Sequence, residues 1–120
     1  NYTLADALKE EYVALGRTQV EPVDEVPCGS SDVGSVSYCC PTLHGYIKIA
    51  DENVNGHSKE MACATISEAG TQALRDGAIA LSNLACRLIV EDGLLDQAKA
   101  EFKKTTSKLV KFKKYLVSFM

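Results

Sequence analysis

Two stretches of this sequence decide the fold class: TLHGYIKIA at residues 42–50 and SEAGTQALRDGAIALSNLACRLIVE at residues 67–91. The first is rich in β-branched and aromatic residues, which favours a strand. The second repeats apolar residues at helical spacing along its length, which predicts a long amphipathic helix. We therefore predict an α/β fold in which a central sheet is flanked by helices.

The helical pattern also indicates which residues face the core. One stripe of the long helix is apolar and is expected to be buried: Leu74, Ala78, Leu81, Ala85 and Leu88. Gly93 separates this helix from a shorter one over residues 94–105, and a first helix is predicted over residues 3–15. Residues 107–120, SKLVKFKKYLVSFM, fit either a helix or a strand.

The predicted strand has no obvious neighbour in the chain. A single strand leaves the hydrogen-bonding groups of both its edges without partners, and such a strand is rarely stable in water. Either the chain forms a homo-oligomer through this sheet edge, or sequence outside these 120 residues completes the sheet.

The composition is that of one ordinary globular domain, residues 1–120. Hydrophobic residues make up 46% of the chain and charged residues 24%, which argues against an extended disordered chain. No apolar run reaches the roughly 18 residues of a membrane span, and the first ten residues lack the features of a signal peptide. We expect a cytoplasmic protein without a membrane partner.

Charge is distributed unevenly along the chain. Residues 99–120 contain seven lysines and one acid, although the formal net charge of the whole chain is -3. A basic tail can bind phosphate or an acidic surface, but a solvated face is its more common role. We assign no role to the tail over residues 105–120, and the net negative charge argues against a nucleic-acid partner.

The five cysteines form an odd set without a CxxC motif: Cys28, Cys39, Cys40, Cys63 and Cys86. Their spacing matches no structural zinc pattern, which makes a small redox or metal-storage module a remote alternative. We expect all five to be reduced and mostly buried. Adjacent Cys39 and Cys40 would point to opposite sides of an extended segment.

Two loops carry the residues most suited to chemistry. The first is GSSD at residues 29–32, whose small residues allow a ligand to approach the backbone and whose carboxylate can support a ligating imidazole. The second is NGHS at residues 55–58, in which a neutral imidazole could bind zinc, manganese or nickel. Taken alone, an exposed turn and a surface histidine are the more common roles of such residues.

Two further candidates are weaker. His44 falls within the predicted strand and is expected to be packed or hydrogen-bonded. Glu10 and Glu11 are adjacent on a helix, where their side chains diverge, so a solvated face is favoured over acid–base catalysis.

The order of these pieces resembles the C-terminal part of the aminoacylase/carboxypeptidase family of dimetal peptidases, in the amidohydrolase branch that includes p-aminobenzoyl-glutamate hydrolase. In that family a Gly-Ser-x-Asp turn precedes a short V-P-T strand segment and a Gly-His-Ser loop that supplies the last metal ligand. Here Gly29, Ser30 and Asp32 match the turn, Pro41 and Thr42 match the strand entry, and His57 matches the ligand. The resemblance covers roughly residues 3–104.

The resemblance implies a partial catalytic domain. The full-length protein would use two zinc or manganese ions to hydrolyse N-acyl or aryl-acyl amino-acid amides or dipeptides, with His57 as one metal ligand. The turn, which comprises Gly29, Ser30, Ser31 and Asp32, would form part of the substrate pocket or would support the metal ligands without binding the metal. Ser31 stands where many of these amidohydrolases have Glu.

The family's other metal ligands, its catalytic Glu and its inserted lid domain have no counterpart in this chain. We therefore assign no catalytic residue here, and the expected partner is the remainder of the catalytic domain. The chain alone is expected to be inactive. The alternative is a non-catalytic α/β interaction protein that makes contact through its basic C-terminal tail.

Overall fold

The computed structural model describes residues 1–17, 31–51 and 53–117, with side chains described up to Ser107. These residues form the helices α1 (Tyr2–Ala14), α2 (Val33–Val36), α3 (Lys59–Thr65), α4 (Glu68–Val90) and α5 (Leu94–Val117). The helices predicted over residues 3–15 and 67–91 correspond to α1 and α4. The helix predicted over residues 94–105 is the first half of α5, which continues through most of the tail.

The predicted α/β fold is wrong, because the described residues contain helices and no β-strand. The segment over residues 42–50 has no regular secondary structure. His44 and Tyr46 stack with their ring centroids 4.9 Å apart, as residues on one face of an extended backbone can. No described backbone hydrogen bond involves residues 43–47. The composition therefore favours an extended backbone, but a strand also needs a neighbour, and the described residues supply none.

α1 is capped at both ends. Asn1 accepts a hydrogen bond at the N-terminus through its side chain. At the C-terminus Gly16 has φ 75° and donates to the carbonyl of Val13, while the amide of Arg17 donates to the carbonyl of Tyr12, both at 2.9 Å. These are the bonds of a Schellman motif, whose left-handed residue is glycine because it has no Cβ. The cap sets the point at which the chain leaves α1.

α3 and α4 meet at a tight joint around Ser67. Its Oγ accepts a hydrogen bond from the amide of Gly70 at 3.1 Å and donates to the carbonyl of Ala64 at 2.7 Å. A Cβ on Gly70 would overlap the carbonyl oxygen of Ala64 and would lie 2.7 Å from that of Thr65. The close approach of the two helices therefore depends on glycine at this position.

The hydrophobic core is small and lies between α1, α4 and the start of α5. Its buried residues are Ala7, Leu8, Ala80, Leu84 and Leu94. Tyr12, Leu15 and Leu88 pack against it from the helices, and Leu43 does so from the extended segment. None of the large side chains in the described part of the chain is completely buried. None of its helices is long and apolar enough to cross a membrane.

The predicted buried stripe of α4 is wrong at four of its five positions. Leu74 is 75% exposed and Leu81 is 57% exposed, Ala78 and Ala85 are exposed as well, and only Leu88 packs against the core. The buried residues form an adjoining stripe: Gly70, Ala73, Asp76, Ala80 and Leu84. α4 is thus apolar on two adjoining faces, of which one packs against the core.

Candidate functional site

The GSSD turn lies partly outside the described residues, which exclude Gly29 and Ser30. Ser31 and Asp32 are exposed and precede α2. Ser31 Oγ accepts a hydrogen bond from the amide of Val33 at 3.3 Å, and Asp32 is the N-cap residue of α2 without a side-chain capping bond. The Asp32 carboxylate therefore has no described partner and remains accessible.

His57 lies in the exposed loop before α3. Its amide donates to Oδ1 of Asn55 at 3.1 Å, and the hydroxyl of Ser58 donates to the carbonyl of Asn55 at 2.8 Å. Ser58 also caps α3 by accepting a hydrogen bond from the amide of Met61 at 3.1 Å. Local hydrogen bonds therefore order this loop, while the exposed imidazole of His57 has no described partner.

His57, the predicted metal ligand, belongs to no cluster of metal-ligating residues in the part of the chain that the structure describes. There, no group of three His, Cys, Asp or Glu residues could hold a metal ion. No described hydrogen bond or ion pair links Asp32 to His57. Because a catalytic zinc site needs about three protein ligands and an open position, these residues do not fit a complete centre. His57 fits only as one contributed ligand.

A half-buried ion pair that the sequence pattern did not predict joins Arg17, which follows α1, to Asp76 on α4. Arg17 donates to Oδ2 of Asp76 through Nε at 2.8 Å and Nη2 at 2.7 Å, and its Nη1 donates to the carbonyl of Lys48 at 3.1 Å. Gln72 Nε2 donates to Oδ1 of Asp76 at 2.8 Å. Hydrogen bonds from Arg17 and then from Gln72 hold the pKa of Asp76 below its ordinary value, although this residue is only 6% exposed. The pair also holds the extended segment against the helices.

An open cavity of about 1250 Å³ is lined by α1, the segment over residues 43–51 and α4, and the Arg17–Asp76 pair forms part of its wall. Both Asp76 oxygens are already hydrogen-bonded. No buried side-chain nitrogen or oxygen of the described residues lacks a partner. Arg17, Gln72 and Asp76 therefore have a structural role in this wall.

The Glu10–Glu11 pair also has a structural role. On α4, Arg87 contacts the carboxylates of Glu91 at 2.8 Å, Glu10 at 2.9 Å and Glu11 at 3.1 Å. Hydrogen bonds from Glu91, Glu11 and Glu10, in that order, raise the pKa of Arg87 above its ordinary value. The expectation of a solvated face is wrong for Glu11, whose side chain is 13% exposed. These acids join α1 to α4, and no acid–base function is assigned to them.

Four of the five cysteines are described, and all four are exposed free thiols: Cys39, Cys40, Cys63 and Cys86. Their predicted burial is therefore wrong, whereas the reduced state of all five thiols stays a prediction. Cys28 lies outside the described residues. Cys39 and Cys40 follow α2 in a helical turn, with each Sγ 3.8 Å from the carbonyl oxygen four residues earlier, so the predicted extended geometry is also wrong.

Comparison with known proteins connects this chain to one enzyme class. No protein-family model matches it, and no solved structure does. Xaa-Arg dipeptidase of Mus musculus is 32% identical to it over 105 residues, which cover 86% of this chain and 24% of the dipeptidase. The chain thus spans about a quarter of the length of the curated relative that it matches. This distant similarity to a peptidase supports a peptidase relationship and no finer assignment.

Proposed function

We propose that this chain is part of a metal-dependent amidohydrolase or peptidase that hydrolyses N-acyl or aryl-acyl amino-acid amides or dipeptides. The observation that carries the proposal is the 32% identity to a dipeptidase over 105 residues. The same stretch includes the GSSD turn and the loop of His57, whose order along the chain resembles that of a dimetal peptidase. The chain is inactive by itself.

The second apolar face of α4 supports a partial domain. Leu74, Leu81 and Ile89 are 75%, 57% and 83% exposed, although their spacing is that of a buried stripe. A helix that is apolar on more than one face is typical of an element covered on more than one side. The relative is about four times longer than the matched stretch, so sequence is available outside this chain to cover the face. The partner is therefore the remainder of the catalytic domain.

The extended segment supports the same conclusion. The backbone N–H and C=O groups of residues 43–47 take part in no described hydrogen bond. Backbone groups that become buried need hydrogen-bond partners. In the full-length protein the remainder of the catalytic domain supplies them. A homo-oligomer formed through this segment is the competing arrangement.

His57 contributes one ligand to a metal centre that the rest of the protein completes. Zinc or manganese in that centre would polarise the scissile carbonyl and activate a water molecule. The resemblance implies that Gly29, Ser30, Ser31 and Asp32 contribute to the substrate pocket, and that the Asp32 carboxylate supports a ligating imidazole. Because the described residues alone do not fit a complete centre, we assign this chain no proton transfer and no nucleophile. We propose a cytoplasmic location, which the four free thiols support.

Two measurements test the proposal. Titration of the 120-residue chain with zinc or manganese should detect only weak binding, because a single imidazole cannot hold the ion tightly. In the full-length protein His57→Ala should lower kcat severely for an acyl-amino acid or dipeptide. Asp32→Ala should lower kcat by about 10–100-fold. His44→Ala is the matched control, since His44 is exposed and stacks on Tyr46.

Tight stoichiometric metal binding by the short chain, or full activity of the His57→Ala protein, would contradict the assignment of this ligand. A full-length protein without hydrolase activity would favour the non-catalytic interaction protein instead.

A further inference from the structure

α5 is attached to the rest of the chain through its first two turns. The carbonyl of Ala98 accepts a hydrogen bond from Asn1 Nδ2 at 3.0 Å. The carboxylate of Glu101 accepts from the amides of Tyr2 and Thr3 at 2.7 and 2.8 Å. Beyond Glu101 the described side-chain hydrogen bonds of α5 are local, to carbonyls three or four residues earlier. The helix backbone then continues to Val117, roughly 24 Å further along its axis at 1.5 Å per residue.

This second half of α5 is strongly basic. From Phe102 to Val117 it contains six lysines and no acid: Lys103, Lys104, Lys108, Lys111, Lys113 and Lys114. The whole chain has a net charge of -3, so the remainder is acidic. An anionic surface therefore attracts this part of the helix and repels the rest of the molecule.

The helical register separates most of these lysines from an apolar stripe. Phe102, Leu109, Phe112 and Leu116 recur three, four or seven residues apart, which places them on one side of the helix. Lys104, Lys108 and Lys111 recur three or four residues apart on another side. The result is a basic amphipathic helix that extends past its described attachment.

We propose that α5 beyond Glu101 binds the surface of an anionic lipid bilayer. The apolar register positions of Leu109, Phe112 and Leu116 provide the stripe for the headgroup boundary, and the lysines at the other register positions pair with acidic headgroups. A cluster of about four to eight lysines on an amphipathic helix is the charge pattern that anionic lipids recognise. Pairing with a second copy of α5 is disfavoured because both helices would bring lysines together.

This inference is independent of the proposed hydrolase function, and it revises the expectation of no membrane partner. That expectation rested on the lack of a spanning segment, which a helix lying in the plane of the interface does not need.

The test uses the full 120-residue chain and sedimentation with vesicles of phosphatidylcholine, with or without phosphatidylserine. The chain should sediment with vesicles that contain phosphatidylserine and not with phosphatidylcholine alone, and raised salt should release it. Lys111→Glu/Lys114→Glu should lower the partition coefficient at least about tenfold. Phe112→Ala should also lower it, because the apolar contact is reduced.

Lys59→Glu/Arg75→Glu is the matched control. It changes the net charge by the same amount at two exposed positions on α3 and α4, and it should leave vesicle binding unchanged. Far-UV circular dichroism verifies that each variant remains helical.

Equal binding to both kinds of vesicle, or an equal loss in the control variant, would overturn the proposal. Tight binding to soluble polyglutamate that does not respond to Phe112→Ala would overturn it too, and would indicate an acidic protein as the partner.

Discussion

Gly70 and Gly77 lie two turns apart on α4 and have different surroundings. A Cβ on Gly70 would overlap the carbonyl oxygen of Ala64, on the joint with α3, whereas a Cβ on Gly77 would meet no atom within 4 Å. Neither glycine has a positive φ. The two positions therefore differ only in the room available for a Cβ, since the helical backbone conformation suits alanine at both.

Alanine substitutions at these two positions should act in opposite directions. Gly70→Ala should lower the free energy of unfolding by about 1–3 kcal/mol, because the joint between α3 and α4 must open. Gly77→Ala should raise it by about 0.5–1 kcal/mol, because alanine is the better helix former and the space is free. Urea denaturation of both variants measures the difference. Equal effects would show that the joint does not require glycine.

Two of the carboxylates that join the helices, Asp76 and Glu101, have a lowered pKa. Asp76 holds α4 against Arg17, which follows the end of α1. Glu101 lies on α5 and accepts hydrogen bonds at the N-terminus of α1, where the helix dipole favours a negative charge. Burial opposes the ionisation of Glu101, but bonds from the amides of Thr3 and Tyr2 and from the Thr3 hydroxyl outweigh it, and its pKa is lowered. The contacts between elements therefore depend on ionised acids.

These contacts predict acid sensitivity. Both carboxyl groups have a lower pKa in the folded chain than their ordinary values of 3.8 and 4.5, so the unfolded chain binds more protons in acid. Their contribution is present above those values and is lost as the pH falls through the folded pKa. Urea denaturation as a function of pH should therefore show the free energy of unfolding declining below about pH 4.5.

Asp76→Asn should destabilise the chain at neutral pH and make this decline shallower, because one of the two groups no longer titrates. Asp6→Asn, on an exposed position of α1, is the control and should retain the full decline. A variant at Asp76 with the same pH dependence as the unsubstituted chain would refute the assignment.

The molecule as a whole is thin for its length. Its principal extents are 54 × 38 × 21 Å and its radius of gyration is 17.4 Å, compared with about 14 Å for a compact domain of this size. Domains are usually built from two or more packed layers around a core. Here α1 and the start of α5 cover one face of α4, and Leu74 and Leu81 are exposed on the adjoining face. This shape is typical of a single layer of helices without the second layer that would cover the exposed face of α4.

Leucine truncations distinguish the covered face of α4 from the exposed one. In the 120-residue chain Leu84→Ala should lower the free energy of unfolding by about 2–4 kcal/mol, because Leu84 is in the core. Leu74→Ala should change it by no more than about 0.5 kcal/mol, because Leu74 is already exposed. In the full-length protein Leu74→Ala should become destabilising by an amount similar to Leu84→Ala. If it stays neutral there, this face is not covered by the remainder of the domain.

The sequence by itself determined α1, α4 and the start of α5, because a helix depends on local signals. Apolar spacing marks its length, and Gly16 and Gly93 end or separate helices through positive φ values of 75° and 86°. The sequence pattern did not predict α3, although a serine such as Ser58, its N-cap residue, is typical of a helix start. Asp32 and His57 were also predicted to lie in loops, and both are exposed outside the regular helices; their roles in a site stay predictions.

Only the tertiary structure decided which face of α4 is buried, what Glu11 contacts, and that residues 42–50 form no strand. Each of these depends on a neighbour distant in the sequence: α1 and α5 for α4, Arg87 for Glu11, and an adjacent strand for the extended segment. A local pattern can specify that a residue is apolar or charged, or that the backbone is extended. It cannot specify which distant segment packs against that residue. Burial and strand pairing each depend on two surfaces, and the sequence of one segment describes only one of them.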